Sequence, residues 1–188
     1  MSAFEDWLDQ EFKEKGIHLE EANLFSKIGE DYWHSTVITH EGLAISGGFH
    51  SEKMQARKVA LSEYLERKTF HQISQSKDDR LSWGINIIPT ACGFAAGFDK
   101  FNTVFRALGE ACERWVMSMW IDEGYYIEEI ESTSIVHDAV SQFFVNQFDT
   151  VRYFKKNVKI LFQGQLVEVA VAQTLGLTKT GIFPGMSA

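Results

Sequence analysis

The phrase Glu63-Tyr64-Leu65-Glu66-Arg67 returns as Glu110-Ala111-Cys112-Glu113-Arg114. Both glutamates and the arginine recur at one offset, 47 residues. Each copy sits late in a helical pattern that follows a glycine turn, Gly47-Gly48-Phe49 before the first and Ala95-Ala96-Gly97-Phe98 before the second. On a helix, residues three and four apart share a face. Glu63 therefore points with Glu66 and Arg67, and Glu110 with Glu113 and Arg114. A single copy reads as a surface helix with an i,i+4 ion pair worth only ~0.2–0.5 kcal/mol. Two copies on helices packed side by side would instead gather four carboxylates, which repel and take up protons unless a cation joins them. Mg²⁺ is the hard, oxygen-seeking cation that carboxylates and phosphates share, and arginines suit phosphate oxygens. The spacing thus points to a Glu-rich Mg²⁺–nucleotide site.

Around these two phrases the chain reads as α+β, with helices on one side of antiparallel sheet. Residues 2–16 form an amphipathic helix on Phe4, Trp7, Leu8 and Phe12, capped by Ser2 with Glu5 and stopped by Gly16. Residues 17–32 carry no clear period. Residues 33–39 are a strand that turns at Glu41-Gly42 and pairs back through 43–46, and Gly47-Gly48 is expected to end this hairpin. The first motif helix runs over 51–73 with Ser51 as its cap. Residues 74–82 read as a polar loop, and Ile85, Ile87 and Ile88 as a short strand ended by Pro89. Thr90 to Gly97 is dense in small residues, which permit close backbone approach. The second motif helix covers 99–122, with Asp99 as its cap and a wide apolar stripe that includes Phe101, Phe105, Leu108, Cys112, Trp115 and Met119. Strands follow at 125–127, 151–154, 158–162 and 166–175, the last two joined by a turn at Gln163-Gly164. A helix is expected over 134–148, with Val136, Val140, Phe143 and Phe144 inward. Residues 181–188 read as an apolar turn.

Composition limits the function. The chain has 188 residues, a net charge of −8, fifteen Phe and five Trp. It is long enough to bury a core, and too acidic for a broad nucleic-acid surface. Its N-terminus lacks the regions of a signal peptide, and no apolar run reaches the length of a membrane span. Its two cysteines, Cys92 and Cys112, have no metal spacing and fit a reducing cytoplasm. Cys112 falls on the apolar stripe and reads as core. The six histidines, His18, His34, His40, His50, His71 and His137, form no H-x-x-x-H pair.

From about Gly47 to Gly185 the chain resembles the YcaO family, ATP-dependent enzymes that activate peptide amides. The resemblance rests on two signatures in order. One is Gly47-Gly48 followed by Ala60-Leu61-Ser62-Glu63-Tyr64-Leu65-Glu66-Arg67. The other is Thr90-Ala91-Cys92-Gly93-Phe94-Ala95-Ala96-Gly97 followed by Leu108-Gly109-Glu110-Ala111-Cys112-Glu113-Arg114. It implies a single YcaO-like domain over 1–188, with motif repeats at about 47–73 and 90–122 and an incomplete C-terminus. It implies Mg²⁺ held by Glu63, Glu66, Glu110 and Glu113, and ATP phosphates contacted by Arg67 and Arg114. The implied chemistry is phosphorylation of an amide oxygen, followed by azoline or thioamide formation. The implied partners are a peptide or protein substrate, a partner protein, and a second copy in a homodimer.

The chain departs from the family pattern at five places, and the last four of them, with the expected early stop, carry the alternative reading, a non-catalytic binding or scaffold subunit of a modification complex. Phe49-His50 follows the first glycines where Lys-Gly is usual. Val59 stands for a small polar residue, Cys92 and Phe98 for asparagines, and Asn102 for an acidic residue.

Overall fold

The computed structural model describes residues 3–26, 29–82 and 91–187. Helix α1 (Ala3–Lys15) ends at Gly16, whose φ of 61° reverses the chain into strand β1 (Ile17–Asn23). β1 pairs antiparallel with β2 (Trp33–Thr39), and β2 with β3 (Ala44–His50), giving a three-stranded sheet in chain order. Helix α2 (Lys53–Gln75) lies on this sheet. Ile17, Val37, Ala60, Leu61 and Tyr64 form its core, with Leu8 and Phe12 of α1 packed against them. Phe12 meets Tyr64 edge-on, ring centroids 5.7 Å apart.

β1 lay hidden in the aperiodic stretch because its third inward residue is a carboxylate. Odd-numbered residues of β1 face α2, and there Glu21 takes the place an apolar residue would hold. Arg57 binds both Glu21 oxygens, at 3.1 and 2.8 Å, and Lys53 lies 3.2 Å away. The two cations offset the cost of a half-buried carboxylate and hold the first turns of α2 to β1.

Three further expectations change in this half. β3 does not end at Gly47-Gly48 but continues to His50. The helix begins at Lys53 after Glu52, not at Ser51, and no side chain caps it. Residues 77–82 form helix α3 (Lys77–Ser82) rather than loop. Its start is set by Ser76, whose Oγ accepts from the Asp79 amide at 3.3 Å, with Asp78 and Asp79 in the first turn where the helix dipole favours anions. The Ser2 cap and the strand expected from Ile85 to Pro89 lie outside the described residues, as does Thr90. Ala91 to Phe94 closes a turn through Phe94 N–H to Ala91 C=O at 2.9 Å, and Gly93 supplies the φ of 73° that the turn requires.

Helix α4 (Lys100–Ile121) carries the second motif. Four antiparallel strands follow in the order β4 (Glu128–Ile130), β5 (Thr150–Phe162), β6 (Gln165–Thr178) and β7 (Gly181–Ser187). Cys112 and Val116 pack with Ile127, Phe154, Val158 and Val171. β5 is one strand of 13 residues, not two. Lys155, Lys156 and Asn157 interrupt its apolar pattern, yet they pair without a break to Ala172, Val171 and Ala170. The ladder is made by backbone groups, so exposed polar side chains do not interrupt it. The strand expected at 125–127 starts instead at Glu128, because Tyr125 N–H still closes on Met119 C=O at 3.0 Å behind Gly124. The helix expected over 134–148 shortens to α5 (Ala139–Val145), begun by Asp138, whose Oδ1 accepts from Ser141 N–H at 2.7 Å. Val140 is buried as expected, whereas Val136 is 96% exposed. Residues 181–187 are strand, not turn, paired to β6, and Pro184 is tolerated because β7 is an edge.

The chain divides into two compact units, Met1–Lys100 and Phe101–Ala188, so the first motif belongs to one and the second to the other. Among the described residues no helix is long and apolar enough to cross a membrane.

Candidate functional site

In the first unit, α2 presents Glu63, Glu66 and Arg67 on neighbouring positions of one face. Three consecutive residues of β3 fix where that face lies. Ser46 Oγ donates to the Ala60 carbonyl at 2.8 Å. Gly47 N–H donates to Glu63 Oε2 at 2.7 Å. Gly48 has no room for a side chain, since a Cβ there would lie 2.1 Å from the Ala56 carbonyl oxygen and 2.5 Å from the Ala60 nitrogen. The glycines that read as a turn are therefore a contact surface: backbone of the strand lies directly on backbone of the helix. Arg67 closes on the other Glu63 oxygen in the expected i,i+4 pair. Val59, one of the departures from the family pattern, lies beside Gly48 on this same contact.

The turn at Ala91 to Phe94 also meets α2. Phe94 packs edge-on to Phe70 with centroids 5.6 Å apart. Cys92 in this turn is exposed, and so is Phe98.

In the second unit, α4 carries Glu110, Glu113 and Arg114. The corresponding ion pair is looser, with Arg114 Nε 3.9 Å from Glu110 Oε1. Burial pushes the Glu110 carboxyl above the ordinary carboxylate range; Arg114 and Arg106 pull it back, and Glu113 pushes it further up. The two copies of one phrase thus differ in their contacts. The leading glutamate of α2 is held by an amide and an arginine, while that of α4 has a more distant arginine and its pKa is raised by burial. Each unit contributes one Glu-x-x-Glu pair. Among the described residues, neither unit by itself gathers three or more His, Cys, Asp or Glu side chains that could hold an ion. Within each unit the pair fits Mg²⁺ in kind, since every candidate ligand is a carboxylate oxygen.

Cys112 is buried, as its place on the apolar stripe implied, and burial pushes its thiol pKa up. A thiol so placed is a poor nucleophile.

The pattern did not point to Glu21, which anchors the first turns of α2, or to Glu11, which anchors its middle at Tyr64 and Lys68, nor to the Gly47 amide. The signal available for Glu11 was its place between Leu8 and Phe12 on the inward face of α1.

No family model matches the chain, and no curated protein matches it. A solved structure does: a YcaO from Methanopyrus kandleri bound with AMPPCP and Mg²⁺, with a TM-score of 0.59, 14% sequence identity, and coverage of 96% of this chain. The fold is YcaO-like. At that identity the likeness concerns the fold alone, and the chain spans 60% of the length of the Methanopyrus YcaO. The α+β class and the antiparallel sheets packed with helices agree with the resemblance read from the two motifs.

Proposed function

We propose that this chain forms the ATP- and Mg²⁺-binding part of a YcaO-type enzyme that activates a backbone amide of a peptide or protein. One observation carries the reading: the same Glu-x-x-Glu-Arg phrase stands on α2 and on α4, in a chain whose fold is YcaO-like and whose solved neighbour holds AMPPCP and Mg²⁺. Glu66, Glu110 and Glu113 are the proposed cation ligands, and Arg67 and Arg114 the proposed phosphate contacts. Glu63 takes a different part, set out in the next subsection.

The chemistry that the nucleotide supplies is conversion of an amide oxygen into a phosphate leaving group. The amide oxygen attacks the γ-phosphorus and ADP departs. A Cys, Ser or Thr side chain, or external sulfide, then adds to the activated carbon, and phosphate leaves as the azoline or thioamide forms. The protein's share is charge neutralisation and positioning. The exposed guanidinium groups of Arg67 and Arg114 suit phosphate oxygens in geometry and charge.

The test is calorimetric titration with Mg·ATP. Wild type should bind, and Glu113→Gln should abolish binding while leaving the melting temperature of the free protein unchanged. Absence of heat and of thermal stabilisation in wild type would reject the nucleotide reading.

A further inference from the structure

We infer that Glu63 is a positioning residue: its carboxylate braces helix α2 against the outer edge of strand β3 and so fixes the direction in which Glu66 points. The second half of this statement rests on the nucleotide reading; the first half stands on the geometry of the first unit alone.

Among the described residues β3 is the last strand of its sheet, so the outward-facing amides of its backbone have no described strand to pair with. A donor left unpaired at a helix–strand contact costs free energy. Gly47 N–H is such a donor, and Glu63 Oε2 accepts it at 2.7 Å. The bond is the last of a series in which Gly48, Ser46 and Gly47 meet α2 at Ala56, Ala60 and Glu63, about one turn apart along a single stripe of the helix. The first two contacts set how close α2 lies to β3. The third sets its rotation about its own axis, because it acts through a side chain at the rim of the contact. Glu66 lies three residues on, and its direction follows from that rotation.

The chemistry of the carboxylate agrees. Oε2 receives the Gly47 amide and Oε1 receives Arg67. A divalent cation at Glu63 would have to displace the guanidinium or sit beside its positive charge. The matching residue of α4, Glu110, stands 3.9 Å from its arginine.

Glu63→Gln and Glu63→Ala separate the two roles, because glutamine keeps a carbonyl acceptor for the Gly47 amide and loses the charge a cation needs. Two readouts are taken on the full chain: hydrogen exchange of the Gly47 amide by NMR, and calorimetry with Mg·ATP. Gln should leave Gly47 exchange and Mg·ATP affinity within about threefold of wild type. Ala should speed Gly47 exchange by about tenfold or more and weaken Mg·ATP by about tenfold, through the lost rotation of α2. The inference is overturned if Gln abolishes Mg·ATP binding while Gly47 stays protected, since Glu63 is then a ligand. It is equally overturned if Gln or Ala, whichever is folded, gives the wrong Gly47 exchange: fast in Gln, or unchanged in Ala. If wild type itself binds no Mg·ATP, the nucleotide reading falls alone, and the exchange comparison still decides the brace.

Discussion

Glu11 is buried on the inner side of α1, where its Oε1 accepts from the Tyr64 hydroxyl at 2.8 Å and from Lys68 Nζ at 2.7 Å. Lys68 holds its carboxyl below the ordinary range; burial works the other way, and Tyr64 adds to the lowering. The Tyr64 phenol is pushed up, first by burial and then by Glu11. A carboxylate whose folded pKa lies below its unfolded value stabilises the fold at every pH above the unfolded value, and that share is lost as pH falls through the folded one. Between about pH 6 and about pH 3 the melting temperature of wild type should therefore fall more steeply than that of Glu11→Gln, measured by circular dichroism. Equal slopes would mean that the triad contributes no pH-dependent stability. Glu11→Ala should cost about 1–3 kcal/mol at neutral pH, because it leaves Tyr64 and Lys68 without their acceptor. At this scale the sequence was legible where chemistry is periodic. The i,i+4 pairs of Glu63 with Arg67 and of Glu110 with Arg114 follow from helical spacing. Glu11 and Glu21 were not legible, since only a partner far along the chain makes an inward carboxylate tolerable.

Helix α2 touches β3 through backbone at Gly48, so the element tolerates no added carbon there. Gly48→Ala should destabilise the protein by about 1–3 kcal/mol or more, because the obstructing atoms are backbone and cannot swing aside. A urea or thermal transition unchanged from wild type would contradict this. The hairpin between β5 and β6 offers the opposite sign. Gln163 has φ 49° and Gly164 φ 79°, the left-handed pair of a two-residue type I′ turn. Gln163 is strained there and asparagine is not, so Gln163→Asn should raise the urea midpoint by an amount equal to about 0.5–1 kcal/mol, with an unchanged slope. Long helices and the turn were legible from their period and their glycine. Helix α3 and strand β7 were not, because a six-residue helix is set by one serine cap and an edge strand by its neighbour β6.

The two motif glutamate pairs belong to two compact units, Met1–Lys100 and Phe101–Ala188. Under the proposed function Glu66 of the first and Glu110 of the second both serve Mg·ATP binding, and that is a statement about coupling. In a double-mutant cycle on the intact chain, Glu66→Gln and Glu110→Gln should each remove the stabilisation that Mg·ATP gives, and the pair together should remove no more than either alone. Additive losses would mean that the two glutamates act independently of each other. The sequence by itself determined the α+β class, the two motif helices and the residues that each presents, because helical spacing places residues three and four apart on one face. Only the tertiary structure decided that Gly47-Gly48 is strand beneath a helix, that Glu63 gives its oxygens to an amide and an arginine, and that burial raises the Glu110 pKa. Those facts depend on which backbone lies against which, and on how much water that contact removes, and a linear pattern of residues does not encode either.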